Sequence, residues 1–360
     1  MMQAKVWLEK LQQLPRPAGR VAIMNVCGGH ERSITMAGLR GVLPDYVRLV
    51  PGPGCPVCIC PEGDIHAAIR LGLEDGALVC AFGDMLRVPI NRGRAEVRSL
   101  EQAHASGADI RPVASPMEAV ALAQQNPQRQ VVFFAAGFET TMAPVAAMLA
   151  QQPPDNLTVW LAGRLTWPAV SLLLESGTPG FDALVAPGHV ATVMGPEEWD
   201  FVWQHHGIAT AVAGFLPDSL LAAFYSVLRQ VSSGQPMLDN CYAEVVRAGG
   251  NPFAKQILQQ VFEVVDAPWR GVGTIPASGY AISEAYGGWD ARRRFPHQCQ
   301  DEGDEQMPPG CDCARVVMGK LEPVACRLYQ TACTPRTPVG PCMVSDEGAC
   351  RIWWSGGVRK

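Results

Sequence analysis

Seven short apolar runs, each closed by a Gly or Pro and followed by a helix-like stretch, constrain this chain more than any other feature. They cover residues 21–26, 47–50, 77–81, 131–135, 158–161, 183–186 and 210–213. Strands that alternate with helices point to βα units and parallel sheets, because a parallel neighbour can be reached only by a crossover connection. The stretch 131–150 has the length of a membrane span, but Gly137, Glu139, Thr140, Thr141 and Pro144 interrupt it. It reads as a buried strand running into a helix.

An internal echo adds domain organisation. The stretch 21–31 parallels 131–139, then 45–52 resembles 182–188, and 77–86 resembles 209–220. We therefore expect an α/β fold of two similar parallel-sheet domains facing a cleft, at 21–125 and 126–248, with an extra strand–helix unit around 157–175. An N-terminal helix would occupy 1–20, and a helical and Cys-rich C-terminal domain 249–360. In open parallel sheets, ligands sit outside the carboxyl ends of the strands, where the Cys27, Cys55 and Glu139 loops fall. Residues 251–265 read as a helix. Beyond them Gly, Pro and Cys dominate, with too little apolar periodicity to build a core unaided.

With 360 residues, 48% hydrophobic and 18% charged, the chain can bury two or three ordinary cores. A net charge of -5, with no block of Lys or Arg, argues against nucleic acid or an anionic membrane surface as partner. Proteins or small molecules remain. The first ten residues carry Lys5, Glu9 and Lys10 with no apolar stretch behind them, so no secretory signal is expected and the location expected is cytoplasmic. Thirteen cysteines in such a chain should stay reduced, and their clustering favours metal or redox chemistry over a disulfide frame.

Cys311-x-Cys313, twelve residues, Cys326, six residues and Cys333 make a quartet of thiols suited to an iron–sulfur cluster or to tetrahedral zinc. The tight C-x-C, the wide gaps and the lack of His favour iron–sulfur. Cys342 and Cys350 beyond it form either a redox pair or buried packing. Cys27, in Cys27-Gly-Gly-His30-Glu31, follows a strand, where helix N–H groups are expected to lower its pKa. Cys55-Pro-Val-Cys58, closely followed by Cys60, has the spacing of a reversible disulfide or a shared metal, the other reading being half of a zinc knuckle. Glu139 and His189 end the corresponding strands further on, as proton donors or partners of a bound anion. The ordinary alternative for them is a helix cap and a structural imidazole.

Taken together, Cys27-Gly-Gly-His-Glu31, Gly52-Pro-Gly-Cys-Pro-Val-Cys58, Gly137-Phe-Glu-Thr-Thr141, Pro187-Gly-His-Val190, the quartet ending in Cys333-Thr-Pro335 and the run 340–350 resemble the HypD family of [NiFe]-hydrogenase maturation proteins, in order and spacing, from about residue 21 to 350. The resemblance implies two similar α/β domains and a third that bears a cluster. It implies that Cys311, Cys313, Cys326 and Cys333 hold a [4Fe-4S] cluster, that Cys27 helps bind a transient iron being dressed with CO and cyanide, and that Cys55 and Cys58 are a redox-active pair beside it. The partners implied are a small HypC-type chaperone and a HypE-type cyanide-donating protein, with the hydrogenase large subunit served indirectly. The chain would be an assembly scaffold with redox activity rather than a turnover enzyme. Some relatives carry a second His shortly after the first, where this chain has Glu31-Arg32, which bears on His30. Cys60, Cys80, Cys241 and Cys299 match no family motif and read as packing residues. The competing readings are an iron–sulfur thiol–disulfide reductase and a zinc-stabilised α/β binding protein.

Overall fold

The computed structural model describes residues 2–93, 96–299 and 307–359. In chain order its strands are β1 (Val21–Asn25), β2 (Val47–Pro51), β3 (Leu78–Phe82), β4 (Ile110–Val113), β5 (Val131–Gly137), β6 (Leu157–Gly163), β7 (Ala183–Pro187), β8 (Ala209–Ala213), β9 (Leu238–Asn240), β10 (Phe262–Trp269) and β11 (Gly273–Ile282). One sheet has the order β2-β1-β7-β8-β9 and a second the order β4-β3-β5-β6. Every pairing within these two sheets is parallel. Residues of β1, β5, β6, β7 and β8 are buried throughout, as both faces of a parallel sheet are covered, and this is why the sequence shows continuous apolar runs.

The sheets do not follow the expected cut between residues 125 and 126. The chain lays down β1 and β2, builds the whole second sheet, and returns for β7 to β9. Met24 of β1 lies opposite Leu184 of β7. Of the echoed pairs, β1 and β5 stand in different sheets, whereas β2 and β7 share one. Two similar parallel-sheet units nevertheless recur, since β2-β1-β7-β8 and β4-β3-β5-β6 both run second-first-third-fourth in order of use; what differs from the echo is which strands correspond. Local patterning specifies each strand–turn–helix unit, but its partner strand is chosen by contacts far away in sequence.

Of the helices near the chain's start, α1 (Met2–Gln12) packs on the helix Pro217–Ser233, while α2 (Gly28–Met36), α3 (Pro56–Ile59) and α4 (Glu62–Leu73) follow β1 and β2 at the site. The stretch 131–150 is strand then helix, with Pro144 inside the helix Glu139–Ala150. Further on, the helix expected over 251–265 ends at Val261, and Phe262 opens an antiparallel hairpin of β10 with β11. Val264 and Val265 therefore sit on an exposed strand, in keeping with the β-branched, Phe-led composition there. The hairpin is fastened to the second sheet: Leu165 N donates to Ser278 O at 2.9 Å and Arg164 bridges to Gly279. The Cys-rich segment adds the short helices Cys313–Val317 and Ala349–Ser355, and shares one buried cluster with α3 and α4. Among the described residues no helix is long and apolar enough to cross a membrane.

The strand orders create two switch points. From β1 the chain moves to β2 on one side while β7 pairs on the other. From β3 it moves to β4 while β5 pairs opposite. Crevices outside the carboxyl ends of strands at such points are the natural ligand sites of open α/β sheets. Cys27 follows β1, His189 follows β7, Asp84 follows β3 and Glu139 follows β5.

Candidate functional site

Cys27 is the extended residue (φ -160°, ψ 126°) that opens α2. The turns around it tolerate only glycine, because other groups press on them. A Cβ on Gly28 would lie 2.4 Å from Glu347 Cβ, one on Gly29 would lie 2.7 Å from the Phe215 ring, and one on Gly54 would lie 2.4 Å from Cys27 Cα. Gly28 N donates to Gly54 O at 3.1 Å. The Gly-rich turns after β1 and β2 are thus closed on each other, and Cys27 stands against Gly54, the residue before Cys55. The expected thiolate is not what this setting favours. Burial pushes the Cys27 thiol up to about 12, the N–H groups of His30 and Gly29 pull it only part of the way back, and the Glu347 charge adds to the rise.

Cys55 and Cys58 are joined in a disulfide with Cα atoms 5.3 Å apart. Cys55 caps α3, where Pro56 takes the first helical position and Cys58 N donates to Cys55 Sγ at 3.2 Å. Both are buried, in the same cluster as the C-terminal cysteines. Of the uses open to this C-x-x-C, the structure takes the disulfide.

His30 is fully buried, with Nε2 2.9 Å from Ala213 O. A carbonyl only accepts, so Nε2 carries the proton and Nδ1, which has no partner, keeps its lone pair. Burial lowers its pKa to about 4, against the pull of the Ala213 carbonyl, and His189 lowers it further. The imidazole is neutral. His189 is exposed and lies tilted against Phe215 with ring centroids 4.1 Å apart, the same ring that meets His30 edge-on at 5.6 Å. These two histidines do join the Cys27 loop.

Glu139 does not. It is fully buried, and its two oxygens accept from Thr166 N and Thr166 Oγ1, each at 2.6 Å. It ties the start of its helix to the turn after β6, with Glu198 close enough to act on its charge. Phe138, not a hydroxyl, stands at the cap position.

At the C-terminus, Cys311, Cys313, Cys326, Cys333, Cys342 and Cys350 all line one small, largely apolar cavity. Cys342 N donates to Cys313 Sγ at 3.2 Å and Val339 N to Cys333 Sγ at 3.4 Å. Burial drives Cys313 upward, but hydrogen bonds from Cys311 and Cys342 and the charge of Arg270 bring it well below the ordinary thiol range. The segment between Cys342 and Cys350 straps both switch points. Asp84 Oδ2 accepts from Ser345 Oγ at 3.0 Å and from Asp346 N at 3.1 Å, while Glu347 packs on Gly28. Beside the strap opens a cleft of about 580 Å³, lined by Pro56, Val57, Asp84, Thr141 and Glu347 among others.

Several residues of this site were not singled out by their sequence pattern. Glu31 is buried, with oxygens accepting from Asn25 Nδ2 at 3.0 Å, Arg40 Nη2 at 2.7 Å and Trp353 Nε1 at 2.5 Å. It therefore fastens the strap helix to α2. Arg270 and Glu62 form a buried ion pair between α4 and the hairpin turn. Their only sequence signal is charge inside otherwise apolar stretches. Of the cysteines read as packing, Cys60 and Cys80 are buried, Cys241 is partly exposed, and Cys299 is exposed. Packing does not account for Cys299.

Comparison with known proteins places this arrangement among relatives. The family model HypD, described as "Hydrogenase formation hypA family", matches residues 2–357. The chain is 40% identical to hydrogenase maturation factor HypD2 of Bradyrhizobium diazoefficiens, over 93% of this chain and 89% of that protein. It is 38% identical to hydrogenase maturation factor HypD of Cupriavidus necator, covering 95% and 91%. It is 37% identical to a putative hydrogenase expression/formation protein of Methanocaldococcus jannaschii, covering 96% and 95%.

Proposed function

Since the chain belongs to the HypD family, we propose that it is a cytoplasmic hydrogenase maturation factor, and that the carboxyl ends of its sheets are the scaffold on which the Fe(CN)2CO unit of [NiFe] hydrogenase is assembled. One observation carries this reading. The closure of two Gly-rich turns sets Cys27 against Gly54, the residue before a disulfide that shares a core with six further thiols.

In this reading Cys27 Sγ binds the substrate iron. Its thiol rests protonated, so iron binding must release that proton. Neutral His30 keeps a free acceptor nitrogen on the first turn of α2. The strap holds the Cys27 turn from above through Glu347 and Asp84, and the adjacent cleft gives a partner protein access. That partner is a small HypC-type chaperone that shares the iron, and a HypE-type protein donates cyanide. The finished unit then passes to the hydrogenase large subunit. The Cys55–Cys58 disulfide can accept two electrons and two protons to give two thiols.

Cys311, Cys313, Cys326 and Cys333 would hold a [4Fe-4S] cluster. Their donor chemistry fits: the cavity carries six thiols, with no His or carboxylate in its lining, and backbone N–H groups already point at two of the sulfurs. When bound, such a cluster supplies electrons singly.

The closed disulfide beside a thiol-lined cavity also favours a second reading, an iron–sulfur thiol–disulfide reductase, in which Cys27 has no part. The deciding experiment is infrared spectroscopy of the anaerobically purified protein, co-expressed with the HypC-type chaperone. Metal-bound CO and cyanide bands that vanish in Cys27→Ala, with the iron–sulfur content unchanged, establish the scaffold. No bands from a fully loaded wild-type complex would transfer the assignment to the reductase.

A further inference from the structure

Arg270 is fully buried in the turn between β10 and β11. Its backbone N donates to Ile59 O at 3.0 Å, at the end of α3, one residue beyond the disulfide. One arm of its guanidinium is committed: Nη2 donates to Glu62 Oε2 and to Pro89 O, each at 2.8 Å. The other donors are not. Nε and Nη1 are buried with no partner. A buried N–H without an acceptor is destabilising, more so on a charged group, and two on one side chain mark the place of an acceptor.

The surroundings say which acceptor. A Cβ built on Gly271 meets Ala314 Cβ at 2.8 Å, so the turn lies against the residue that follows Cys313. Trp269, the residue before Arg270, shares one buried cluster with Cys313, Cys326 and Cys333. The neighbouring Glu62 is already engaged, by Arg270 and by Asn91 N. Arg270 therefore links α3 and α4 from a turn that packs against the helix beginning at Cys313.

We infer that Arg270 is a positioning residue for the cluster: its Nε and Nη1 donors and its charge offset the anionic thiolate-bound group at Cys311, Cys313, Cys326 and Cys333, and so raise that group's reduction potential. The inference rests on the cluster reading above. Hydrogen bonds to sulfur and nearby charge are two of the principal levers on iron–sulfur potentials. Lysine cannot replace the residue in full, because an ammonium on Glu62 has no second, rigidly held pair of donors to present to sulfur.

The test is a dye-mediated reductive titration of the full chain, reconstituted anaerobically with iron and sulfide and followed by cluster absorbance, with iron and sulfide counted per chain. Wild type is compared with Arg270→Lys and with the double variant Arg270→Gln/Glu62→Gln, which leaves no carboxylate stranded. The double variant is expected to load its cluster and to titrate at a more negative potential, by a factor of about ten in the reduction equilibrium or 59 mV for one electron, with Arg270→Lys in between. Full loading with an unchanged potential in both variants overturns the role of Arg270 alone. If wild type takes up no iron and sulfide, the cluster reading itself falls and this inference with it. Should the double variant fail to fold or load, the Arg270→Lys titration decides by the same criterion.

Discussion

The indole N–H of Trp353 donates to Glu31 Oε1 at 2.5 Å, joining residues 322 positions apart. Glu31, one of the two residues that follow His30 in the first motif, is here a buried anchor. Arg40 pairs with the same carboxylate and lies over the Trp353 ring at 4.9 Å. Trp353→Phe removes one donor from a buried carboxylate and should cost about 1–3 kcal/mol. Glu31→Ala should cost more, since it strands Arg40 and the indole together. Urea denaturation of the two variants measures both. Midpoints equal to wild type would show that the strap is held elsewhere.

Gly54→Ala should separate Cys27 from the disulfide loop. Its methyl group would lie 2.4 Å from Cys27 Cα and 2.5 Å from Cys27 N, backbone atoms that cannot turn aside. We expect at least a tenfold loss of the CO and cyanide bands with the iron–sulfur content retained. Gly83→Ala, at the neighbouring switch point with nothing within 4 Å, is the control and should behave as wild type.

Glu198 gives a pH prediction. Burial raises its pKa well above the usual carboxylate range, and the charge of Glu139 raises it further. The folded protein therefore holds a proton that the unfolded chain loses, so stability falls as pH rises above about 4.5, the ordinary glutamate value, towards the folded one. Glu198→Gln should raise the melting temperature at pH 8 and leave it nearly unchanged at pH 4. Equal shifts at both values would show that ionisation of Glu198 plays no part.

Cys299 is exposed, whereas Cys80, Cys313 and Cys342 are fully buried. Brief alkylation of the native, metal-free protein, mapped by mass spectrometry, should label Cys299 first and these three last. Cys299→Ser should mature hydrogenase normally. A variant that fails to do so would give this thiol a role that its position does not suggest.

Much of the site was legible in the residues themselves. Cys55 and Cys58 are three positions apart on a Pro-led turn, so their pairing is a local matter. The glycines flanking Cys27 and Cys55 announced tight turns at strand ends, and Cys311, Cys313, Cys326 and Cys333 announced a shared site, whereas the place of Cys342 and Cys350 in the same cavity was left open between a redox pair and packing. The destination of Glu139 was not legible. Its motif matches the others in form, but Thr166, which takes up both its oxygens, is 27 residues further on. Nor was the protonation of Cys27, since the helix N–H groups that lower its pKa are local and the burial that raises it is not.

The sequence by itself determined the chemistry and the units: clustered cysteines, strands that end in glycine turns, and helices that follow them. Tertiary structure alone decided that β1 pairs with β7 across the whole second sheet, that Gly54 closes on Cys27, and that Arg270 is sealed against Glu62. The physical reason is range. Periodicity and turn geometry are settled by neighbours along the chain, whereas strand partners and burial depend on contacts among residues up to several hundred positions apart.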